Sequence, residues 1–457
     1  MRTNLPLAFL LLAASASLCS QEYTVIHDFE TETTDGTYPL GAIAQSRGGE
    51  MLGAVTGVDE PYNFHSSFAF RIWTDGTFQS LHDFFPYGPI GGLSLGKDGL
   101  FYGTDSSSLS VFKMTSNGSL KNIYYFYNFT GGENWFPTAA PIQSIRGDYL
   151  YGTTLGLGGT SMGVVYKITK YVDFTLLHAF SGTDGSDPDK LVQGTDYNFY
   201  GTTMWGGTYN EGTVFRISAS GDFKVLANFD GSPARAPISG LIQGNDGNFY
   251  GECIYGGLSD SNGNQFGSLF RVTPTGKLTV LHEFTGSDGE WPWGGLVQAS
   301  DGNLYGVTVF GGKNGAGVLF RATLDGQVVV VHDFADGPGS SPAGSLIQHT
   351  NGRLYGIAGS GGKFNNGVYF SFDAGLPPFV TYLPTYGRAG ASVEILGQGF
   401  TSGSQVSFNG TLAASPDFVS ANYLSVTVPS GATTGPITVT TGSRKLTSNK
   451  VFIVHKY

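Results

Sequence analysis

The chain has 457 residues, with 24 Lys and Arg against 35 Asp and Glu, a formal net charge of −11, 70 Gly and 14% aromatic residues. A body this acidic lacks the basic stripe that nucleic acid or an anionic membrane would require, so neither is expected as a partner. There are two cysteines, Cys19 and Cys253, and the first falls in a leader-like segment, so no intramolecular disulfide is expected.

Residues 1–20 combine a basic start at Arg2, an apolar run from Leu5 to Ala14 and small residues at Ala16 and Ser17. This is the pattern of a secretory signal, with cleavage expected after Ser20, and it predicts a secreted, cell-surface or periplasmic protein. The lipidated-cysteine alternative at Cys19 is disfavoured by Leu18 just before it. Past the signal, no stretch reaches the ~18 consecutive apolar residues of a spanning helix.

A seven-fold internal repeat runs from Tyr23 to Asp373. Its Tyr-Gly step recurs at Tyr102, Tyr151, Tyr200, Tyr250, Tyr305 and Tyr355, with Leu52 replacing Tyr in the first unit. Each unit offers four short runs rich in Val, Ile, Leu, Phe and Tyr, divided by Gly, Asn and Asp, with no helical period. Four strands in each of seven units predict an all-β, seven-bladed β-propeller over residues 21–374. In the fifth unit the runs are Gly240 to Gln243, Asn248 to Glu252, Ser268 to Thr273 and Leu278 to Phe284, named A to D from the axis outward. The chain opens on a D-type run, Tyr23 to Phe29, and its last unit ends on a C-type run, Gly367 to Asp373. The N-terminal strand is therefore expected to complete the seventh blade and remove the open edges.

Asp246-Gly247, Asp301-Gly302 and Asn351-Gly352 divide the A and B runs, where a tight hairpin demands positive φ. They read as turns and not as ligands. The Gly after the strand B aromatic is expected to keep clear of the neighbouring blade. His27, His82, His178, His282 and His332 share one place in strand D, where Tyr124 and Ala227 stand in the other units. Outer strands of different blades lie too far apart for these rings to share a metal ion, so packing is the expected role. Basic residues in strand C, such as Arg71, Arg216 and Arg321, are expected to pair across to Asp28, Asp83, Glu283 or Asp333 in strand D.

The unit Gly240-Leu241-Ile242-Gln243, Asp246 to Gly251, Gly256-Gly257 and Leu269 to Val272 resembles the GloVer-type tandem repeat of bacterial exported proteins. The resemblance implies a secreted or surface protein of unassigned activity.

Gly375 to Pro378 interrupts the repeat as a stiff linker. Residues 379–457 then alternate short Val-rich and Ile-rich runs with Gly and Ser turns, as a small β-sandwich does. Val393 to Phe400, Val406 to Gly410 and Val428 to Gly431 with Gly435-Pro436 resemble the immunoglobulin-like IPT/TIG domain. That resemblance implies a spacer or adhesive module.

In four-stranded blades the A to B and C to D turns emerge at one end, and the D to A and B to C connections at the other. The second class is long, Gly-rich and aromatic, at Tyr127 to Ala139, Met204 to Gly212, Ile254 to Gly267 and Thr285 to Trp293. Function is expected at that end. Trp135, Trp205, Tyr209, Tyr255, Trp291, Trp293 and Phe310 are the candidate ligand-binding residues, because exposed rings stack on sugars or hold a protein partner. Core cover is the competing role for these rings and weighs somewhat more. Asp184, Asp187 and Asp189 form the densest carboxylate cluster, read as a solvated loop in preference to a calcium site because the EF-hand terminal Glu is missing. Asn117, Asn128 and Asn409 open glycosylation-type sequons, a pattern short enough to arise by chance.

No catalytic cluster, metal or cofactor motif is recognisable. The expected function is a non-catalytic exported recognition or adhesion protein, monomeric, whose long-loop face binds glycan or extracellular protein. The alternatives are a carbohydrate-active hydrolase or lyase, with Asp184, Asp187 or Glu290 as possible acids, and a purely structural envelope protein.

Overall fold

The computed structural model describes residues 21–30, 39, 41–55, 67–84, 88–89, 91–126, 135–137, 139–156, 162–169 and 173–455. The expected signal at 1–20, the Asn128 sequon and most of the loop from Tyr127 to Ala139 lie outside them. Among the described residues the chain is all-β, with no helix.

Four-stranded antiparallel sheets recur along the repeat, as in a β-propeller. In the fifth unit Ile242–Gln243, Phe249–Tyr255, Ser268–Val272 and Leu278–Glu283 pair in that order. The second and third strands are almost wholly buried, while the outermost is only half-buried. Strands covered on both faces read as continuous apolar runs, and these do. In the last unit Ile347–Gln348, Leu354–Ala358 and Val368–Asp373 receive their fourth strand from Glu22–Asp28, in a register from Glu22 opposite Asp373 to Asp28 opposite Val368.

The innermost strand is broken in two. Arg235–Pro237 and Ile242–Gln243 both pair with Phe249–Tyr255, and Ser186–Pro188 and Glu290–Pro292 repeat the arrangement. The middle residue of each outer piece, Asp187, Ala236 or Trp291, has φ of 55°, 53° or 56°. That left-handed conformation interrupts regular pairing, and the flanking residues, such as Arg235 and Pro237, are the ones with partners across the ladder. The sequence pattern shows one inner run because none of the three residues is a Gly.

Apolar layers between sheets supply the cohesion. Tyr250, Leu269 and Phe284 of one unit pack with Leu304, Val318 and Phe320 of the next. The same kind of layer joins Tyr355, Ile357 and Tyr369 of the last unit to Phe29, Ile43 and Phe70 near the start. Polar links repeat with them. Where the innermost strand carries a Gln, it accepts a backbone N–H from the preceding unit's turn: Gln193 from Ile145 at 2.7 Å, Gln243 from Thr195 at 2.9 Å, Gln298 from Asn245 at 2.9 Å. Gln45 accepts in the same way from Thr350 at 3.1 Å, which links the first unit to the last.

Three local expectations need correcting. The Gly after the strand B aromatic is crowded by its own sheet: a Cβ on Gly251 would lie 2.6 Å from Phe270 Cζ, the ring directly across the ladder. The strand C cations do not meet the strand D carboxylates, because the register sets Arg71 opposite Gln79 and Arg321 opposite Val329. Asp28 and Asp333 instead accept the backbone N–H of Lys363 and Lys313, each at 2.7 Å. The acidic cluster is dispersed: Asp184 binds His178 Nε2 at 2.9 Å and the Ser181 N–H at 2.8 Å, whereas Asp189 points elsewhere.

The strand D rings stack around the perimeter. His178 lies 3.6 Å from Phe223, His27 4.6 Å from Phe78, and His332 4.1 Å from Tyr23 of the N-terminal strand. Burial lowers the His332 pKa, which favours the neutral ring in that stack.

Beyond Gly375 two further sheets enclose one core of Val393, Ile395, Phe408, Leu424, Val439 and Phe452. One holds Thr381–Leu383, Ser392–Leu396, Tyr423–Thr427 and Asp417–Ser420, and the other is built on Gln405–Phe408, Gly435–Thr441 and Arg444–Val454. This sandwich sits on the A to B turns of the repeats. Arg47 donates to Glu394 through Nε at 2.9 Å and Nη2 at 2.6 Å. Asn422 donates to Gly48 O at 2.7 Å, Tyr386 to Ile145 O at 2.5 Å, and the Phe379 N–H to Thr350 O at 3.1 Å. Tyr197 of the fourth unit hydrogen-bonds His455.

Candidate ligand-binding site

The segments entering each innermost strand converge on one cavity of about 360 Å³. Gly41 and Ala42, Gly91, Ala139, Asp189 and Lys190, Ile238 and Ser239, Trp293 and Gly294, and Ala343 and Ser345 line it, so every unit contributes at the same point of the repeat. The cavity therefore lies where the units meet, at the end that carries the D to A connections and away from the sandwich.

Most of that lining is small for a physical reason. Residues that enter successive sheets side by side have little room, and Ala42, Gly92, Ala140, Gly240, Gly295 and Ser345 occupy equivalent places in the repeat. Lys190 is the exception. Its stem runs against Gly240, where a Cβ would stand 2.5 Å from Lys190 Cγ, and its Nζ reaches Ser345 Oγ at 3.5 Å. One side chain from the fourth unit thus spans the fifth and meets the seventh. Asp189 beside it is partly buried; desolvation raises its pKa against the opposing pull of Lys190, whose backbone N–H it accepts.

A second exception lies just beneath. Glu252 follows the Tyr-Gly step, where other units have Ala54, Thr104, Thr153, Thr202, Val307 and Ile357. It is 1% exposed, and its Oε2 accepts the Ser239 hydroxyl and the Gly295 N–H, each at 3.1 Å. Its Oε1 has no partner. Burial pushes its pKa up to about 7, against the hydrogen bonds from Ser239 and Gly295 and the charge of Lys190.

The seven aromatic candidates do not form one platform. Trp293 is 43% exposed and lines the cavity. Tyr255, Trp291 and Phe310 form a separate cluster, with Trp291 edge-on to Tyr255 at 5.9 Å and to Phe310 at 5.3 Å, and Arg235 over the Tyr255 ring at 5.2 Å. Trp291 is partly covered there and its Nε1 is buried without a partner, which fits a cover more than a platform. Trp205 ends the strand Phe199–Trp205 opposite Ser186 and is half-buried. Tyr209 is 59% exposed, and Trp135 pairs through its backbone with Gly156. Glu290 is half-buried in Glu290–Pro292, where desolvation and the charge of Asp260 raise its pKa. Among the described residues no group of three or more His, Cys, Asp or Glu is placed to hold a metal ion.

The model of the Gloeobacter/Verrucomicrobia repeat matches residues 89–263 and 252–415, more than half of the chain. The chain belongs to the Gloeobacter/Verrucomicrobia repeat family. No curated protein matches it. Among solved structures, a streptogramin B lyase is similar with a TM-score of 0.54 at 14% identity, covering 77% of this chain and 97% of that one. A catalytically inactive virginiamycin B lyase from Staphylococcus aureus, solved with quinupristin, gives 0.51 at 16% identity over 77% and 99%. At such identities the likeness is one of fold, a propeller of repeated sheets.

Asp189 drew notice in the sequence only as part of an acidic loop, and Lys190, Ser239, Glu252 and Ser345 drew none. The usable signal was deviation from the repeat: Lys190 where small residues otherwise stand, and Glu252 where Thr or an aliphatic residue does.

Proposed function

We propose that this is a non-catalytic exported recognition protein that binds a sugar at the mouth of the cavity where its seven units meet. In this reading the units form one closed seven-bladed ring sealed by the N-terminal strand, and residues 379–457 form an IPT/TIG-like module. The shared apolar layer and the Gln45 to Thr350 bond support the ring. The observation that carries the function is Trp293, a half-exposed ring beside Asp189, Lys190, Ser239 and Ser345 in one concave site. A sugar presents an apolar face for stacking and hydroxyls for such polar groups, and binding pockets combine the two in this manner.

A glycan screen of the mature protein against its Trp293→Ala variant tests the reading. Binding weakened about fivefold or more by the substitution is expected, since a stacked ring contributes ~1 kcal/mol. Sugar binding indifferent to Trp293 contradicts the site. The hydrolase or lyase alternative rests on Glu252, a carboxyl that holds its proton near neutrality beneath the cavity. Turnover of a bound sugar, lost in Glu252→Gln, would replace the first reading with that one.

A further inference from the structure

We infer that the cavity takes the carboxylate-bearing end of a sugar, a uronate, and that Lys190 is the residue that selects it. This rests on the sugar-binding reading of the same site. Lys190 carries an ammonium with three N–H donors. Among the described residues its one hydrogen bond is the long contact to Ser345 Oγ at 3.5 Å, and no carboxylate lies within ion-pair distance. The nearby acids feel the charge of Lys190 without forming an ion pair with it: Asp189 accepts the Lys190 backbone N–H, and Glu252 accepts from Ser239 and Gly295 through Oε2 while its Oε1 has no partner. An ammonium at the wall of a cavity, with donors to spare and no ion-paired carboxylate among the described residues, matches a carboxylate. Trp293, lining the same cavity, adds the ring face that a bare carboxylate would not use.

The net charge narrows the ligand further. At −11 the protein repels a polyanion along its length, whereas a single terminal carboxylate feels mainly the charges within ~8 Å at physiological salt. One acidic residue at a chain end therefore fits better than a densely charged polymer.

The test measures Kd of the full-length protein for a glucuronate-terminated disaccharide, its glucose-terminated counterpart and acetate, using wild type, Lys190→Met, Lys190→Arg and Trp293→Ala. The uronate is expected to bind about 10- to 100-fold tighter than the neutral sugar, as one charge-assisted hydrogen bond allows. Lys190→Met should bring the uronate down to the affinity of the neutral sugar in the same variant, Lys190→Arg should keep most of the preference, and added salt should shrink it. Trp293→Ala should weaken both sugars. Equal binding of the two sugars by wild type, or a preference that survives in Lys190→Met, overturns the uronate assignment and leaves sugar binding intact. Acetate binding as tightly as the uronate overturns the ring requirement. Failure of both sugars to bind defeats the underlying reading as well. Should Lys190→Met melt early, the salt dependence of wild type and the Lys190→Arg result still decide.

Discussion

The two ends of the repeat array are built from the same seven units and have opposite surfaces. At the A to B turns the polar groups are spent inside the chain: Arg47 on Glu394, Gly48 on Asn422, Ile145 on Tyr386, Thr350 on Phe379. At the other end Lys190, Trp293 and the hydroxyls of Ser239 and Ser345 surround an open cavity. In a repeat protein either end could bind, and the docked sandwich removes one of them from contention. The proposed ligand is assigned to the end where two repeats break their own pattern.

The largest expected effect that would sharpen this contrast is at Glu252. Its folded pKa, about 7, lies above the ordinary carboxyl value of 4.5, so the folded state holds its proton where the unfolded state has lost it. A raised carboxyl costs nothing below pH ~4.5, and stability falls as pH climbs from there to ~7, by up to about 3 kcal/mol. Denaturant unfolding of Glu252→Gln should therefore show a gain over wild type at pH 8 that shrinks at pH 4. Parallel pH profiles would mean the carboxyl is not held in this environment.

Next comes Arg47→Ala, which strips Glu394 of a bidentate partner at a half-buried site and should cost about 1 to 2 kcal/mol. Amide exchange should rise at residues 46–49 and 392–396 while sugar affinity stays as in wild type. A change in affinity would couple the two ends and break the contrast. Gln45→Leu and Gln243→Leu should each cost about 1 kcal/mol in the same unfolding assay, because each removes the acceptor of a turn N–H together with the donations of the Gln amide, to Thr350 Oγ1 for Gln45 and to Thr195 Oγ1 and Gly247 O for Gln243. A seam variant much costlier or much cheaper than the interior one would show that the first-to-last junction is not an ordinary boundary between units. The smallest effect is expected for Tyr209→Ala, within about 0.5 kcal/mol and without change in binding, since that ring is exposed away from the cavity.

The repeated strands were legible because buried sheet residues repeat where buried sheets do, and Tyr23 to Phe29 announced itself as an outer strand by carrying His27 in the shared position. The short inner pieces were not legible. Asp187, Ala236 and Trp291 take left-handed backbone that their residue types do not advertise. Nor was the docking of the sandwich, whose contacts fall on turn residues, Arg47, Ile145, Tyr197 and Asn245, that share no pattern from unit to unit. The site was half legible. Aromatic enrichment of the long loops singled out the end that holds the cavity and included Trp293, yet the same enrichment counted Trp291, which packs between Tyr255 and Phe310. Stacking covers and stacking platforms have one composition and differ only in what already occupies the ring face.

Hydrogen–deuterium exchange of the full-length protein, with and without the glucuronate-terminated disaccharide, puts the asymmetry between the ends to its most direct test. Protection is predicted at 189–191, 239–241, 293–296 and 345–347, with none at 46–49, 145–148 or 349–352. Protection confined to the turn end, or none at either end under saturating sugar, would contradict it.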